Sequence, residues 1–258
     1  MTILFPSPVF GPVISRRLGV SLGVNLLPAD GKRCSFDCIY CECGMNRDGR
    51  TASRMPSREE VRQALESRLS RMHSDGEPLD VITFAGNGEP TLHPHFAGII
   101  DDTIELRDRF FPLCQVSVLS NATQILKQDV FDALRKVDNN ILKLDTVSEE
   151  YIRLVDRPGG NNFQLEAIID KMREFGNECI IQTMFLSGTY YGKDVDNCGD
   201  EYVLPWIEVV KSIAPSSVMI YTIARETPVN TLKPASKQQL DGIAEKVRGA
   251  GLECQVSY

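Results

Sequence analysis

The chain has 258 residues, of which 42% are hydrophobic and 24% charged, and this composition is typical of a globular protein with a substantial core. Its 28 Lys and Arg residues against 35 Asp and Glu residues give a net charge of −7, which excludes a general attraction to the phosphates of nucleic acids. The first residues lack the pattern of a signal peptide, and no apolar stretch approaches the length of a membrane span. We therefore expect a cytoplasmic protein with no membrane partner.

Strand-like and helix-like segments alternate along the chain. The predicted strands are residues 20–26, 80–85, 115–120, 140–144, 179–185 and 217–223. The predicted helices are residues 57–72, 95–109, 127–136, 163–175, 203–213 and 236–249. The first helix has the clearest signal, because Ser57 and Glu60 form a capping-box pattern just before apolar residues at helical spacing.

Alternation of strands and helices indicates βαβ units and a parallel sheet. About six such units predict an α/β fold: an open, partial (βα)6 barrel of the TIM type with its helices outside. No linker divides the chain, so we expect a single domain over residues 1–258, with residues 226–258 completing the barrel. In such barrels the ligand-binding residues lie at the carboxyl ends of the strands.

Four of the eight cysteines lie close together after the first predicted strand, in the loop 31–44. Cys34, Cys38 and Cys41 have the spacing C-x3-C-x2-C, and three thiolates can bind three irons of a four-iron cluster and leave the fourth iron open. A structural zinc site is the alternative, but no second C-x2-C or H-x3-H pair is present. Cys43 is left out, because a C-x-C pair is awkward for separate corners of a cube. The roles of Cys43 and Cys198 stay unassigned.

The C-x3-C-x2-C motif, with Tyr40 just before its last cysteine, resembles that of the radical S-adenosylmethionine (SAM) superfamily. Residues 11–44 resemble a narrower group, the iron–sulfur oxidoreductases related to the wyosine-base synthase of tRNA, and the likeness extends to about Pro228. This resemblance implies a [4Fe–4S] cluster on the three cysteines, SAM as a second cofactor, and an electron donor such as flavodoxin or ferredoxin. It also implies reductive cleavage of SAM to a 5′-deoxyadenosyl radical, which abstracts hydrogen from the substrate.

A glycine-rich turn, residues 84–90, follows the second predicted strand. Its glycines allow a ligand to approach the backbone closely, and Glu89 offers an acceptor to a cationic group. An ordinary turn between a strand and a helix is the alternative. By resemblance the segment corresponds to the superfamily's GGEP motif, with Asn87 inserted between Gly86 and Gly88, and it binds the amino group of SAM through its carbonyls and Glu89.

Polar residues also stand at the carboxyl ends of the later strands. Lys143 and Asp145 share one face of their strand because side chains alternate between faces. By resemblance these positions surround the ribose, carboxylate and adenine of SAM, although a Lys–Asp ion pair or a core methionine is also compatible with the pattern. Besides the glycine-rich turn, the expected SAM-binding residues are Tyr40, Ser120, Asn121, Lys143, Asp145, Gln182, Met184, Tyr221 and Arg225.

Three other segments are less informative. His93 and His95 resemble a metal pair, but a surface or helix-capping role is favoured. Residues 156–160 are predicted as a loop, either closing over substrate or only connecting two elements. Residues 187–201 are polar and are predicted as a lid or substrate loop.

The substrate remains open among a small molecule, a peptide and tRNA. The acidic balance disfavours tRNA, because Arg16–Arg17 and Lys32–Arg33 are the only basic pairs that stand out. A glycyl-radical activating enzyme uses the same cysteine spacing and is a further alternative. A non-enzymatic metal-binding protein ranks last, because it would not need the glycine-rich turn. The sequence also leaves open whether SAM is consumed or regenerated.

Overall fold

The computed structural model describes residues 3–15, 18–46, 53–160 and 163–258. The strands are β1 (Val9–Ser15), β2 (Gly19–Val24), β3 (Val81–Phe84), β4 (Gln115–Ser120), β5 (Asn139–Lys143), β6 (Ile180–Met184), β7 (Leu186–Tyr190), β8 (Lys193–Asp194), β9 (Ser217–Tyr221), β10 (Leu232–Pro234) and β11 (Cys254–Ser257). The α-helices are α1 (Arg58–Ser74), α2 (Phe96–Phe110), α3 (Gln128–Leu134), α4 (Glu149–Tyr151), α5 (Leu165–Phe175), α6 (Asp200–Ile213) and α7 (Lys237–Gly249). A π-helical turn, Ile152–Asp156, continues directly from α4.

The main sheet has the strand order β1-β2-β3-β4-β5-β6-β9-β11. All neighbours in it are parallel except β1 and β2, which form an antiparallel pair. Within the described ranges β1 and β11 do not pair with each other, so the sheet stays open. The predicted open, mostly parallel α/β fold is confirmed, and all six predicted strands are present. The edge strands β1 and β11 were not predicted.

The strands and helices bury the apolar residues of their sequences. Strands of a parallel sheet are covered on both faces, and every residue of β3 and of β6 is buried. Helix α1 begins with the predicted capping box: the Ser57 side chain accepts from the Glu60 amide, and the Glu60 side chain accepts from the Ser57 amide. Its residues Val61, Leu65 and Leu69 pack into the core.

A small antiparallel sheet with the order β10-β7-β8 follows β6. It contains part of the segment 187–201, which the sequence predicted as an open loop. Gly188 has φ +122° and pairs with Leu232, and a Cβ at Gly188 would lie 2.3 Å from the Thr231 carbonyl oxygen. The amide of Asn197 holds the same segment against β6, donating to the Met184 carbonyl (2.9 Å) and accepting from the Leu186 amide (2.9 Å). Residues 187–190 and 193–194 are therefore strand and not loop: β8 pairs locally with β7, and β7 pairs with the distant β10, a contact that the sequence does not show. A role of the segment as a lid or substrate loop stays a prediction.

No helix in the described part of the chain is long and apolar enough to cross a membrane. The basic pair Arg16–Arg17, considered above for tRNA binding, lies outside the described residues.

Candidate active site

The cysteine loop 31–44 follows β2 at the carboxyl edge of the main sheet and is held at several points. The Asp37 amide donates to the Asp156 carbonyl and the Ile39 amide donates to the Val155 carbonyl, both with an N···O distance of 2.9 Å. The side chain of Asn46 donates to the Cys34 carbonyl over 3.2 Å. The first two bonds connect the loop to the π-helical turn, and all three fix its backbone.

The three motif cysteines interact electrostatically with one another inside this loop. Burial raises the pKa of the Cys34 thiol to about 12 and raises that of Cys38 well above its usual value. The pKa of Cys41 is instead lowered to about 6, first by a hydrogen bond from Cys43 and then by the nearby Lys32. A cluster binds cysteines as thiolates, so binding at Cys34 and Cys38 would displace their protons.

Two of the motif sulfurs have nitrogen donors nearby. Cys34 Sγ accepts from the Phe36 amide (3.4 Å) and from Asn121 Nδ2 (3.5 Å). Cys38 Sγ accepts from Lys143 Nζ (3.2 Å), and the positive charge of Lys32 interacts with all three cysteines. Such donors suit anionic sulfur, because hydrogen bonds to a thiolate stabilise its negative charge.

These residues fit an iron–sulfur cluster better than a single ion. Across the described ranges, no three His, Cys, Asp or Glu side chains converge on a point where one metal ion would sit. A cube has separate irons, each of which takes one thiolate, so its ligands need not converge. The short loop, the mutual proximity of the thiols and the sulfur-directed donors therefore suit a multi-iron group.

The glycine-rich turn pairs directly with the cysteine loop. The Arg33 amide donates to the Asn87 carbonyl (2.8 Å), and the Glu89 amide donates to the Arg33 carbonyl (3.2 Å). Gly88 has φ +133°, and a Cβ there would lie 1.9 Å from the Arg33 carbonyl oxygen, so only glycine fits. Asn87 is fully buried, and its side chain bonds to Phe5 and Pro28. Asn87 thus joins the N-terminal segment to the turn.

The carboxylate of Glu89 is buried and accepts four hydrogen bonds. They come from the amide and hydroxyl of Thr91 (3.1 and 2.5 Å), the Ser120 hydroxyl (2.9 Å) and the Asn121 amide (2.6 Å). Burial raises the pKa of Glu89, although these bonds oppose the shift. Glu89 therefore ties the turn after β3 to the end of β4. Its predicted contact with SAM stays a prediction.

Lys143, at the end of β5, lies at the centre of a buried charged group. It forms ion pairs with Asp156 and with Asp145, whose Oδ2 is 3.3 Å from Lys143 Nζ. The Tyr40 hydroxyl donates to Asp145, and Oδ1 of the same carboxylate accepts from the Met184 amide (3.0 Å). Burial alone would lower the pKa of Lys143, but the two carboxylates outweigh burial and raise it well above its usual value, so the ammonium stays charged.

The other predicted SAM-binding residues surround the inside of the sheet. Met184 is buried in the apolar cluster around Cys38, with Tyr221 packed against that cluster. Gln182 and Arg225 line a cavity of about 460 Å³ inside the barrel. Arg225 is more than half exposed and forms an ion pair with Glu42 (2.7 Å), next to Cys41 in the chain. The structure therefore brings the predicted residues to one edge of the sheet.

Two buried charged residues of this edge escaped sequence reasoning. The sequence predicts Asp156 only as the start of a loop, yet its side chain is 2% exposed and paired with Lys143. The sequence presents Lys32 as part of a basic pair, yet it is buried against the cysteines. No local signal identifies either residue, because burial here depends on packing between distant segments. Of the surface or capping roles favoured for His93, the surface role is wrong, because its ring is buried and bonds to the Pro56 carbonyl (2.7 Å). Its Nδ1 accepts from the amide of His95, the N-cap residue of α2 (3.2 Å), which agrees with a role at the helix start.

Comparison with known proteins agrees with this geometry. The sequence pattern of the radical SAM superfamily matches residues 30–193, more than half of the chain. A UPF0026 protein of Methanocaldococcus jannaschii is 31% identical over 231 residues, covering 87% of this chain and 66% of the relative. The chain thus spans just under two thirds of that relative's length.

Two solved structures share the fold. A radical SAM methyltransferase from Sphaerobacter thermophilus has a TM-score of 0.67 at 14% identity, covering 92% of this chain and 66% of that chain. The structure of TYW1 with a lysine-pyruvate adduct bound has a TM-score of 0.60 at 16% identity, covering 89% of this chain and 73% of that chain. At sequence identities of 14% and 16%, the similarity to these two structures shows a shared fold and no more.

The chain belongs to the radical SAM superfamily of enzymes. Membership confirms the family inferred from the cysteine motif and implies SAM and an iron–sulfur cluster as cofactors, as well as a reductant. The resemblance to the tRNA wyosine-base synthase extends as far as the fold shared with TYW1.

Proposed function

We propose that this chain binds a [4Fe–4S] cluster through Cys34, Cys38 and Cys41 and binds SAM beside it. We also propose that it abstracts a hydrogen atom from a small-molecule substrate. When bound, the two cofactors supply reductive cleavage of SAM to a 5′-deoxyadenosyl radical. The observation that carries the proposal is the direct pairing of Arg33, next to Cys34, with Gly88. The glycine-rich turn is therefore paired with the residue directly before the first cysteine of the motif.

The chain's own residues then have separate tasks. The three cysteines hold the cluster, and the turn from Gly86 to Glu89 presents backbone polar groups at the same edge. Gln182, Met184, Tyr221 and Arg225, together with Ser120, Asn121 and Tyr40, would line the SAM site. For Arg225, a carboxylate ligand would replace Glu42 as the partner of its guanidinium.

A small-molecule substrate is favoured by the cavity inside the barrel. Its lining combines the stacked rings of Phe5 and Phe10, whose centroids lie 4.6 Å apart, with polar side chains that include Gln182 and Arg225. The cavity is about 460 Å³ in volume and would have to hold SAM at Gln182 and Arg225 as well, which favours a small substrate. A tRNA substrate is less well supported, because Lys32 is buried and offers no charge to a phosphate backbone.

Such a site needs a reducing environment, and the state of the cysteines agrees with one. All eight cysteines, each within the described residues, are free thiols, which suits a cytoplasmic protein. Flavodoxin or ferredoxin would deliver the electron.

The test is anaerobic reconstitution with iron and sulfide, reduction with dithionite, and addition of SAM. We expect 5′-deoxyadenosine and methionine from the wild type and neither above background from Cys38→Ala. Cys254→Ala is the matched control, because Cys254 lies in β11 outside the cysteine loop. Equal product from Cys38→Ala, or zinc in place of iron in the wild type, would contradict the proposal. With a turned-over substrate, one 5′-deoxyadenosine per turnover indicates consumed SAM, and far less than one per turnover indicates regenerated SAM.

A further inference from the structure

Two lysine side chains lie beside the cysteine motif, one of them buried and the other nearly so. The side chain of Lys32 is 1% exposed and comes from the cysteine loop itself. The side chain of Lys143 is 13% exposed and comes from β5. Lysines are rarely buried, because removing an ammonium from water costs several kcal/mol unless it is paired. Two of them at one site therefore require an explanation.

The two ammonium groups lie beside the cysteines in different ways. Lys143 Nζ lies 3.2 Å from Cys38 Sγ, within hydrogen-bonding distance. Lys32 instead interacts through its positive charge, with Cys34, Cys38 and Cys41. If neutralising carboxylates were their only role, neither lysine would need to lie beside the cysteines.

Rigid partners hold each ammonium in place. Lys32 donates to the Gly44 carbonyl (3.0 Å) and pairs with Asp37 (3.5 Å). Lys143 is held by the Asp145 and Asp156 carboxylates, and its Nζ lies 4.7 Å from the centre of the Phe36 ring. Since Gly44, Asp37 and Phe36 belong to the cysteine loop or its end, the same loop that supplies the thiols also positions the cations.

We propose that Lys32 and Lys143 are positioning residues for the cluster: Lys143 acts as a charged N–H donor to the Cys38 thiolate, Lys32 adds a second buried positive charge beside the motif, and both raise the cluster's reduction potential. This inference rests on the proposed function. Reduction adds one negative charge to the cluster, and nearby positive charges and hydrogen bonds to the ligand sulfurs stabilise the reduced state. Removing either charge makes the electron harder to add.

The first test measures the midpoint potential of the reconstituted full chain by a redox titration followed by electron paramagnetic resonance. Lys32→Met and Lys143→Met replace each ammonium by an apolar group of similar length. We expect each variant to shift the potential to a more negative value, and the double variant to shift it further. The matched control is Lys136→Met, because Lys136 is half exposed on the outer surface and pairs with Asp101. Unchanged potentials in cluster-loaded variants would overturn the proposal and leave the lysines as structural counter-ions.

The variants differ in their risk of misfolding. Lys143→Met leaves two buried carboxylates without their cation, whereas Lys32→Met leaves Asp37 with Arg157 as a second partner (3.5 Å). If neither variant retains a cluster, a measurement on the wild type tests the proposal instead. In protein labelled with ¹⁵N-lysine, pulsed electron paramagnetic resonance of the reduced cluster detects a lysine nitrogen that is hydrogen-bonded to a ligand sulfur. Absence of lysine coupling there would overturn the proposal.

The outcomes separate this inference from the proposed function. A wild type that loads a cluster and shows the expected shifts but cleaves no SAM would support the lysines' role and contradict the proposed reaction. A wild type that cleaves SAM, with variants of unchanged potential, would support the reaction and contradict the role of the lysines. A wild type that binds no cluster would overturn both.

Discussion

Two groups of ion pairs in this molecule use the same side-chain chemistry in opposite surroundings. At the carboxyl edge of the sheet, Lys143, Asp145 and Asp156 are buried beside Cys38. On the outside, between α1 and α2, Arg62 bonds to Glu105 (2.7 Å) with 27% and 63% of their side chains exposed. Exposed pairs contribute about 0–1 kcal/mol each, whereas burying charges carries a desolvation cost that stability alone rarely justifies. The buried group is therefore the one to associate with function.

The comparison is tested most strongly by Asp145→Ala. The substitution leaves Lys143 with one carboxylate and removes the acceptor for the Tyr40 hydroxyl and the Met184 amide. We expect the free energy of unfolding of the cluster-free protein to fall by about 3 kcal/mol, as for other broken buried pairs. Urea denaturation measures this change.

Glu105→Ala is the comparison for that experiment in the exposed helix layer. Because 63% of the Glu105 side chain is in solvent, we expect a loss below about 1 kcal/mol. Equal losses for the two variants would mean that burial does not distinguish the two groups of charges.

A pair of glycines sharpens the same comparison through the backbone. Gly88, in the turn beside the cysteine loop, has no room for a Cβ, whereas a Cβ at Gly242 in α7 would meet no atom within 4 Å. We expect Gly88→Ala to cost about 2 kcal/mol and to reduce iron retention, because strain at positive φ adds to the clash with Arg33. Gly242→Ala is expected to raise stability by about 0.5–1 kcal/mol, because alanine is the better helix former.

Urea denaturation and iron content after reconstitution measure both glycine variants. Normal iron retention in Gly88→Ala would show that the close pairing of the turn and the cysteine loop is dispensable for the cluster.

Much of the fold could be predicted because its signals are local. Buried strands separated by amphipathic helices produce a regular alternation, and Ser57 and Glu60 mark the start of α1 within four residues. The edge strands gave no such signal: β1 contains Pro12, and β11 is short and only partly buried. Edge strands are paired on one side only, so their sequences need not form an apolar run.

The candidate site likewise has a part that the sequence predicts and a part that it does not. The cysteine motif and the glycine-rich turn are each contained in a short segment, so their chemistry was predictable from residue type and spacing. The contact between Lys143 and Cys38 joins residues 105 positions apart. Lys32 and Asp156 acquire their burial only when the loop, β5 and the π-helical turn pack together, and no periodicity in the sequence encodes that packing.

A pH-dependent effect concerns Asp102, which accepts from Arg58 (2.6 and 2.8 Å) in the outer helix layer. Hydrogen bonds from Arg58 hold the pKa of Asp102 below its usual value near 3.8. Its stabilisation is therefore complete above about pH 5 and is lost as the pH falls through the folded-state pKa. We expect Asp102→Asn to lower the unfolding free energy by about 1 kcal/mol at pH 7 and by progressively less towards pH 3. Urea midpoints at both pH values measure this gap, with the exposed Asp132→Asn as control. A gap that stays constant with pH would show that Asp102 stabilises the helix layer through packing instead of charge, and would weaken the contrast with the buried group at Lys143.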